Sequence, residues 1–104
     1  MTLKSSQIKS LRAEGHRLHL KPVVTIGQNG LTDNVNQEID LALSRHELLK
    51  LRIPGLGKKD KQELAATICE QHGAEPIEMI GNVIVIYRRN GKQDRYAAVL
   101  KIRD

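Results

Sequence analysis

Between Val23 and Ile53 the apolar residues change their spacing twice, and that change leaves few folds open. Val23, Val24 and Ile26 make a short β-branched run, the pattern of a buried strand. Val35, Ile39, Ala42, Leu43 and His46 then gather on one helical arc, with Asp33, Gln37, Asp40 and Ser44 opposite. In "ELLKLRI", residues 47 to 53, Leu49, Leu51 and Ile53 alternate with Lys50 and Arg52, as in a strand with one face inward. Strand, helix, strand in that order is a crossover unit, so the two strands should lie parallel with a right-handed connection.

The flanks extend this unit. From Ser6 to about His16, Ile8, Leu11 and Gly15 share one side while Lys9, Arg12 and His16 line an adjacent one, which predicts a short helix with a basic flank. Pro22 then holds Lys21 in an extended conformation. Thr32 or Asp33 can cap a helix running to about His46. "PGLGKKDK" is a turn, and a third helix from about Lys58 to His72 buries Leu64, Ala65, Ile68 and Cys69 before Gly73 closes it. Two further strands, about Pro76 to Ile80 and Val83 to Arg88, flank Gly81-Asn82, a pair suited to a type II′ hairpin turn. Residues 91–104 read equally as another edge strand, with Tyr96, Ala98, Leu100 and Ile102 alternating, or as a mobile basic tail. The expected architecture is an α/β two-layer sandwich, α-β-α-β-α-β-β, with a mixed four-stranded sheet and all helices on one face. Residues 1–90 form the domain.

At 104 residues there is room for one modest core. The single cysteine, Cys69, makes an internal disulfide impossible and suits a reducing compartment. No apolar run approaches the roughly 20 residues of a membrane helix, and "MTLKSSQIKS" lacks the apolar core of a secretory signal. A cytoplasmic monomer without membrane contact is expected.

The formal charge is +5 with a pI near 9.6, and its distribution matters more than its size. Residues 1–21 carry Lys4, Lys9, Arg12, Arg17 and Lys21 against Glu14 alone, whereas residues 22–45 carry Arg45 against Asp33, Glu38 and Asp40. A polyanion would therefore meet the ends of the chain before its middle. Tyr87 and Tyr96 are the only aromatic residues. Reading single-stranded bases usually requires aromatic platforms, so contact with backbone and shape is the mode left open.

Gly27-Gln28-Asn29-Gly30 joins the first strand to the second helix. Glycines there let the main chain bend and lie close to a ligand, with amides directed outward beside the positive end of a helix, a setting that favours an anionic oxygen. Thr32 belongs to the same corner. A nucleotide-binding P-loop is excluded because no Lys-Ser or Lys-Thr follows, and a dinucleotide fingerprint lacks its third glycine. As a bare pattern the four residues are more commonly a plain strand-to-helix turn. If the strands are parallel, Lys58, Lys59 and Lys61 emerge at the same sheet edge, where they either extend a phosphate-contacting surface or form an exposed turn of solvated lysines. Lys9, Arg12 and Lys21, with His16 and Arg17, form a second candidate area, and Arg88 with Arg89 a third. The reactive side chains point to no enzyme. His16 and His19 lack a third metal ligand, and Cys69 with His72 lies on or beside a buried helical arc.

Several separated elements match one family in order: Pro22-Val23-Val24, Ile26-Gly27-x-x-Gly30-Leu31-Thr32, Glu38-Ile39, Ala42-Leu43, His46-Glu47-Leu48, Ile80-Gly81 and Tyr87-Arg88. On these the chain, from about Ser6 to Arg89, resembles the CRM domain family of chloroplast RNA splicing and ribosome maturation, and within it the stand-alone bacterial members of the YhbY type. The resemblance implies a noncatalytic RNA-binding module without cofactor, similar in fold to the C-terminal domain of translation initiation factor three. It places the family's GXXG loop on Gly27 to Gly30. It further implies ribosomal RNA in precursors of the large subunit as the target, with ribosomal proteins as further partners. The competing expectation is a protein-interaction module of ribosome assembly that does not touch RNA.

Overall fold

The structure is a computed structural model that describes residues 3–101. Its elements run α1 (Ser5–Arg17), β1 (Val24–Thr25), α2 (Asp33–His46), β2 (Leu48–Arg52), α3 (Lys58–His72), β3 (Glu75–Ile80), β4 (Val83–Tyr87) and α4 (Ala97–Leu100). The four strands form one mixed sheet in the order β1-β2-β4-β3, with β1 parallel to β2 and β4 antiparallel to both β2 and β3. The expected α/β sheet and crossover are present. Among the described residues no helix is long and apolar enough to cross a membrane.

Local chemistry sets the boundaries. The Thr32 Oγ1 accepts a hydrogen bond from the Val35 amide at 3.2 Å, which caps α2. Gly73 ends α3 in the left-handed region at φ 61°, where a side chain would be strained. Gly81 takes φ 56° while Asn82 stays negative, the combination that a type II′ turn requires.

The helices do not share one face. Ile39, Leu43, Ala65 and Ile68 pack with Leu49, Leu51, Ile84 and Ile86, so α2 and α3 cover the first face. Leu11 and Leu100 pack with Leu48, Ile77, Val85 and Tyr87, so α1 and α4 cover part of the second. The two-layer arrangement is thus corrected to helix, sheet, helix. The cause lies in β4, whose side chains Val83 to Tyr87 are apolar on both faces and whose interior position leaves neither face to water.

Residues 91–101 are likewise neither an edge strand nor a loose tail. They turn at 90–96 and dock α4 against α1, with the Gln7 side chain donating to the Leu100 carbonyl at 3.1 Å. Ile102, which completed the alternation expected of a strand, lies outside the described residues.

Buried Glu47 organises the junction. It stops α2 at φ 63°, its carbonyl accepts from the Arg88 amide, and its carboxylate accepts from the amides of Asn90 and Arg95 at 3.1 and 3.0 Å.

Candidate nucleic-acid interface

Because β1, β2 and β3 run in one direction, the loops at residues 27–30, 54–57 and 81–82 emerge at the same end of the sheet. The N-termini of α2 and α3 open at this end as well. Their positive dipole ends favour anions, although Asp33 and Asp60 sit in the first turns and offset part of that field.

The Gly27–Gly30 segment is an exposed tight turn. The Gly30 amide donates to the Gly27 carbonyl at 3.0 Å, and the Thr32 amide donates to the Gly30 carbonyl at 3.1 Å. This corrects the expectation that the loop's amides all face outward: Gly30 contributes a φ of 74°, not a free donor. Thr32 likewise spends its amide and its hydroxyl oxygen inside the loop. The amides of Gly27, Gln28 and Asn29 donate to no other described residue, and all three residues are exposed. Gly27 needs neither positive φ nor close packing, since a Cβ built there meets nothing within 4 Å. Its bareness serves nothing inside the chain and leaves main chain open to an approaching ligand.

The neighbouring loop divides its lysines. Lys61 Nζ donates to the Gly81 carbonyl at 3.0 Å and ties α3 to the β3–β4 hairpin, which the Ile53 amide also grips through the Asn82 carbonyl at 2.8 Å. Lys61 is therefore half committed to the fold. Lys58 and Lys59 are exposed and make no ion pair with another described residue.

On the second face, Arg12 Nε lies 3.8 Å from Glu78 Oε1 and His16 Nε2 lies 3.0 Å from Glu78 Oε2. Lys9 and Lys21 are exposed. The sequence reading passed over Lys50 and Arg52 as the outward half of β2. The same alternation carried the signal, for it sets both cations on the face that α1 leaves partly open. The Ile26 amide bonds the Arg52 carbonyl at 2.8 Å, so Arg52 stands beside the start of the glycine turn.

Arg88 does not belong to this surface. Its guanidinium donates to Asp40 Oδ1 at 2.8 Å, the Asp40 carbonyl at 3.0 Å, Ser44 Oγ at 2.9 Å and the His72 carbonyl at 3.2 Å. It sits past the end of β4, at the opposite end of the sheet, beside the second half of α2 and the last residue of α3, whose carbonyl faces a cation. Arg89 is paired there with Asp94.

The reactive groups are also accounted for. Burial, with Glu75 nearby, pushes the Cys69 thiol up to about 11, away from a thiolate nucleophile. His72 is shifted down by burial and by Arg88, and its Nε2 bonds Asn36 Oδ1 at 3.0 Å. Among the described residues no group of three or more His, Cys, Asp or Glu could hold a metal ion.

Four likenesses to known proteins bear on the chain as a whole. A family model described as the CRS1 / YhbY (CRM) domain matches residues 3–88. A probable RNA-binding protein of Pseudomonas aeruginosa is 35% identical over 95 residues, covering 91% of this chain and 89% of that one. An RNA-binding protein of Haemophilus influenzae is 39% identical over 87 residues, covering 84% and 86%. The solution structure of a hypothetical protein from Staphylococcus aureus superposes with a TM-score of 0.76 at 35% identity, covering 86% of this chain and 91% of that chain.

Proposed function

The chain belongs to the CRS1 / YhbY (CRM) domain family, and from that premise we propose that it binds RNA through the loop end of its sheet. The proposed target is structured ribosomal RNA in cytoplasmic precursors of the large subunit, met by a monomer among ribosomal proteins. One observation carries the reading: the exposed Gly27–Asn29 main chain, with unspent amides and no Cβ at Gly27, opens beside two helix N-termini. Such a corner suits a phosphate oxygen rather than a base. The relatives named as RNA-binding proteins span nearly their full length with this chain, which supports RNA as the polyanion.

The cations supply range where the amides supply fit. Lys58, Lys59 and Arg52 lie at the loop end or beside it, with Lys9, Arg12 and Lys21 on α1 and the segment after it. Each phosphate neutralised releases counterions, so affinity should fall steeply with salt.

Gly27→Asp tests the loop. Its backbone angle is ordinary and its Cβ meets nothing, so the fold survives while a carboxylate faces the proposed phosphate. Binding of a structured ribosomal RNA fragment, followed by fluorescence anisotropy, should weaken by about 1–3 kcal/mol. Unchanged affinity in a folded variant removes the loop from the interface.

A further inference from the structure

We propose that the groove between α1 and the sheet holds one unpaired guanine base, with Glu78 reading its Watson–Crick edge. The inference rests on the RNA-binding reading and adds a base-selective subsite to it.

The groove encloses about 150 Å³. That is well below the roughly 300–1,000 Å³ of sites that swallow a drug-sized ligand, and it suits one flat ring with its sugar and phosphate outside. Ile80, Val83 and Val85 give it an apolar floor, and Arg12, His16 and Lys50 stand around it. Arg12 is half exposed at the rim and can lay its guanidinium plane over a ring, a stacking mode open to proteins without aromatics. This chain needs such a substitute. Tyr87 and Tyr96 are only 1% and 8% exposed, packed edge to face within the second-face core, so neither can serve as a stacking platform.

Glu78 pairs with Arg12 and His16 within the fold, but a phosphate-binding surface alone has no use for a carboxylate among its cations. It is the single acid lining this groove, and its side chain is 18% exposed. A carboxylate repels phosphate but accepts hydrogen bonds at about four lone-pair sites, of which His16 takes one on Oε2 at 3.0 Å, while Arg12 Nε stands 3.8 Å from Oε1, beyond hydrogen-bonding distance. Guanine is the RNA base that presents two adjacent donors, N1–H and the N2 amino group, to a pair of carboxylate oxygens. Adenine and cytosine each pair one donor with an acceptor that the carboxylate opposes, and uracil flanks its single N–H with two carbonyls.

The groove is also within reach of the loop end. Arg52 pairs with Val83 across the β2–β4 ladder and with Thr25 across the β1–β2 ladder, so one row of the sheet leads from the floor of the groove to the start of the glycine turn. A strand gripped at the turn can pass its backbone over Arg52 and set a neighbouring base into the groove.

The test uses the full chain with labelled methyl groups, titrated with GMP, AMP, CMP, UMP and inorganic phosphate. GMP should shift the Val83 and Val85 methyl signals saturably, at about tenfold lower concentration than UMP. Glu78→Gln should abolish that preference. Silent methyls, equal shifts with inorganic phosphate, or a guanine preference that survives Glu78→Gln would each overturn the subsite. Anisotropy with structured RNA separates it from the parent reading. If Gly27→Asp weakens RNA binding while the groove is silent to GMP, only the subsite falls. If GMP fills the groove but Gly27→Asp leaves RNA affinity intact, the loop reading falls and the subsite stands.

Discussion

Arg52 and Arg88 both lie at the C-terminal end of an inner strand, yet the fold uses them in opposite ways. Arg88 spends its guanidinium on four acceptors at the end of the sheet where α2 and α3 finish. Arg52 is exposed at the end where those helices begin, without an ion pair to any other described residue. The difference follows from helix polarity. Helix C-termini present carbonyl oxygens that bind a cation, whereas helix N-termini present amides that leave it unpaired and instead attract an anion. At one end Arg88 is therefore satisfied internally and holds the fold together; at the other Arg52, Lys58 and Lys59 keep their donors for something outside.

The largest test of that contrast is Glu47→Ala. It strands the amides of Asn90 and Arg95, whose bonds to Glu47 are part-buried, and unfastens the segment that carries α4. Denaturant unfolding should show a loss of about 2–4 kcal/mol, while RNA affinity of the remaining folded protein stays unchanged. A loss of under half that would mean that the 90–96 turn is held mainly by packing of Tyr96 and Leu100.

The arginines come next. Arg88→Ala should lower stability by about 1.5–3 kcal/mol, because it leaves the Asp40 carboxylate and two helix carbonyls, those of Asp40 and His72, without this donor, and should leave RNA binding in place. Arg52→Ala should do the reverse, with stability changing by less than about 0.5 kcal/mol and RNA binding weakened. If the two variants behave alike, the division of labour between the ends is wrong.

How much of this could be read from the sequence depends on whether the cause was local. Thr32, Gly73 and the Gly81-Asn82 turn were legible because a cap or a positive φ acts within four residues. The crossover, the shared loop edge and the place of the Gly27–Gly30 turn between strand and helix were legible because strand and helix periods differ. Arg88 was misread because its partners stand 16 to 48 residues away, and no pattern within a strand reports the end of a distant helix. Gly30 was half misread, since the sequence supplies the glycine but not whether its amide turns inward. The second helical layer was missed for a different reason. "VIVIY" is apolar at consecutive positions and carried the signal for a strand covered on both faces, but that signal competes with the alternation of its amphipathic neighbour β2.

The smallest effect divides the lysines of the loop end itself. Lys61 holds the Gly81 carbonyl and so belongs in part to the fold, whereas Lys58 and Lys59 point into water from the first turn of α3. Removing a free lysine should cost almost nothing in stability and well under 1 kcal/mol in folding free energy. It should instead flatten the dependence of log affinity on log salt by about 0.7–0.9 for each phosphate it neutralises. The Lys58→Ala/Lys59→Ala pair is therefore expected to flatten that slope at unchanged melting temperature. Lys61→Ala should lower the melting temperature slightly and change the slope less than either free lysine does, because its ammonium is shared with a carbonyl before any phosphate arrives. Should Lys61 carry as much of the slope as its neighbours, the hairpin must release it on binding, and the loop end would be an interface that rearranges rather than one already formed.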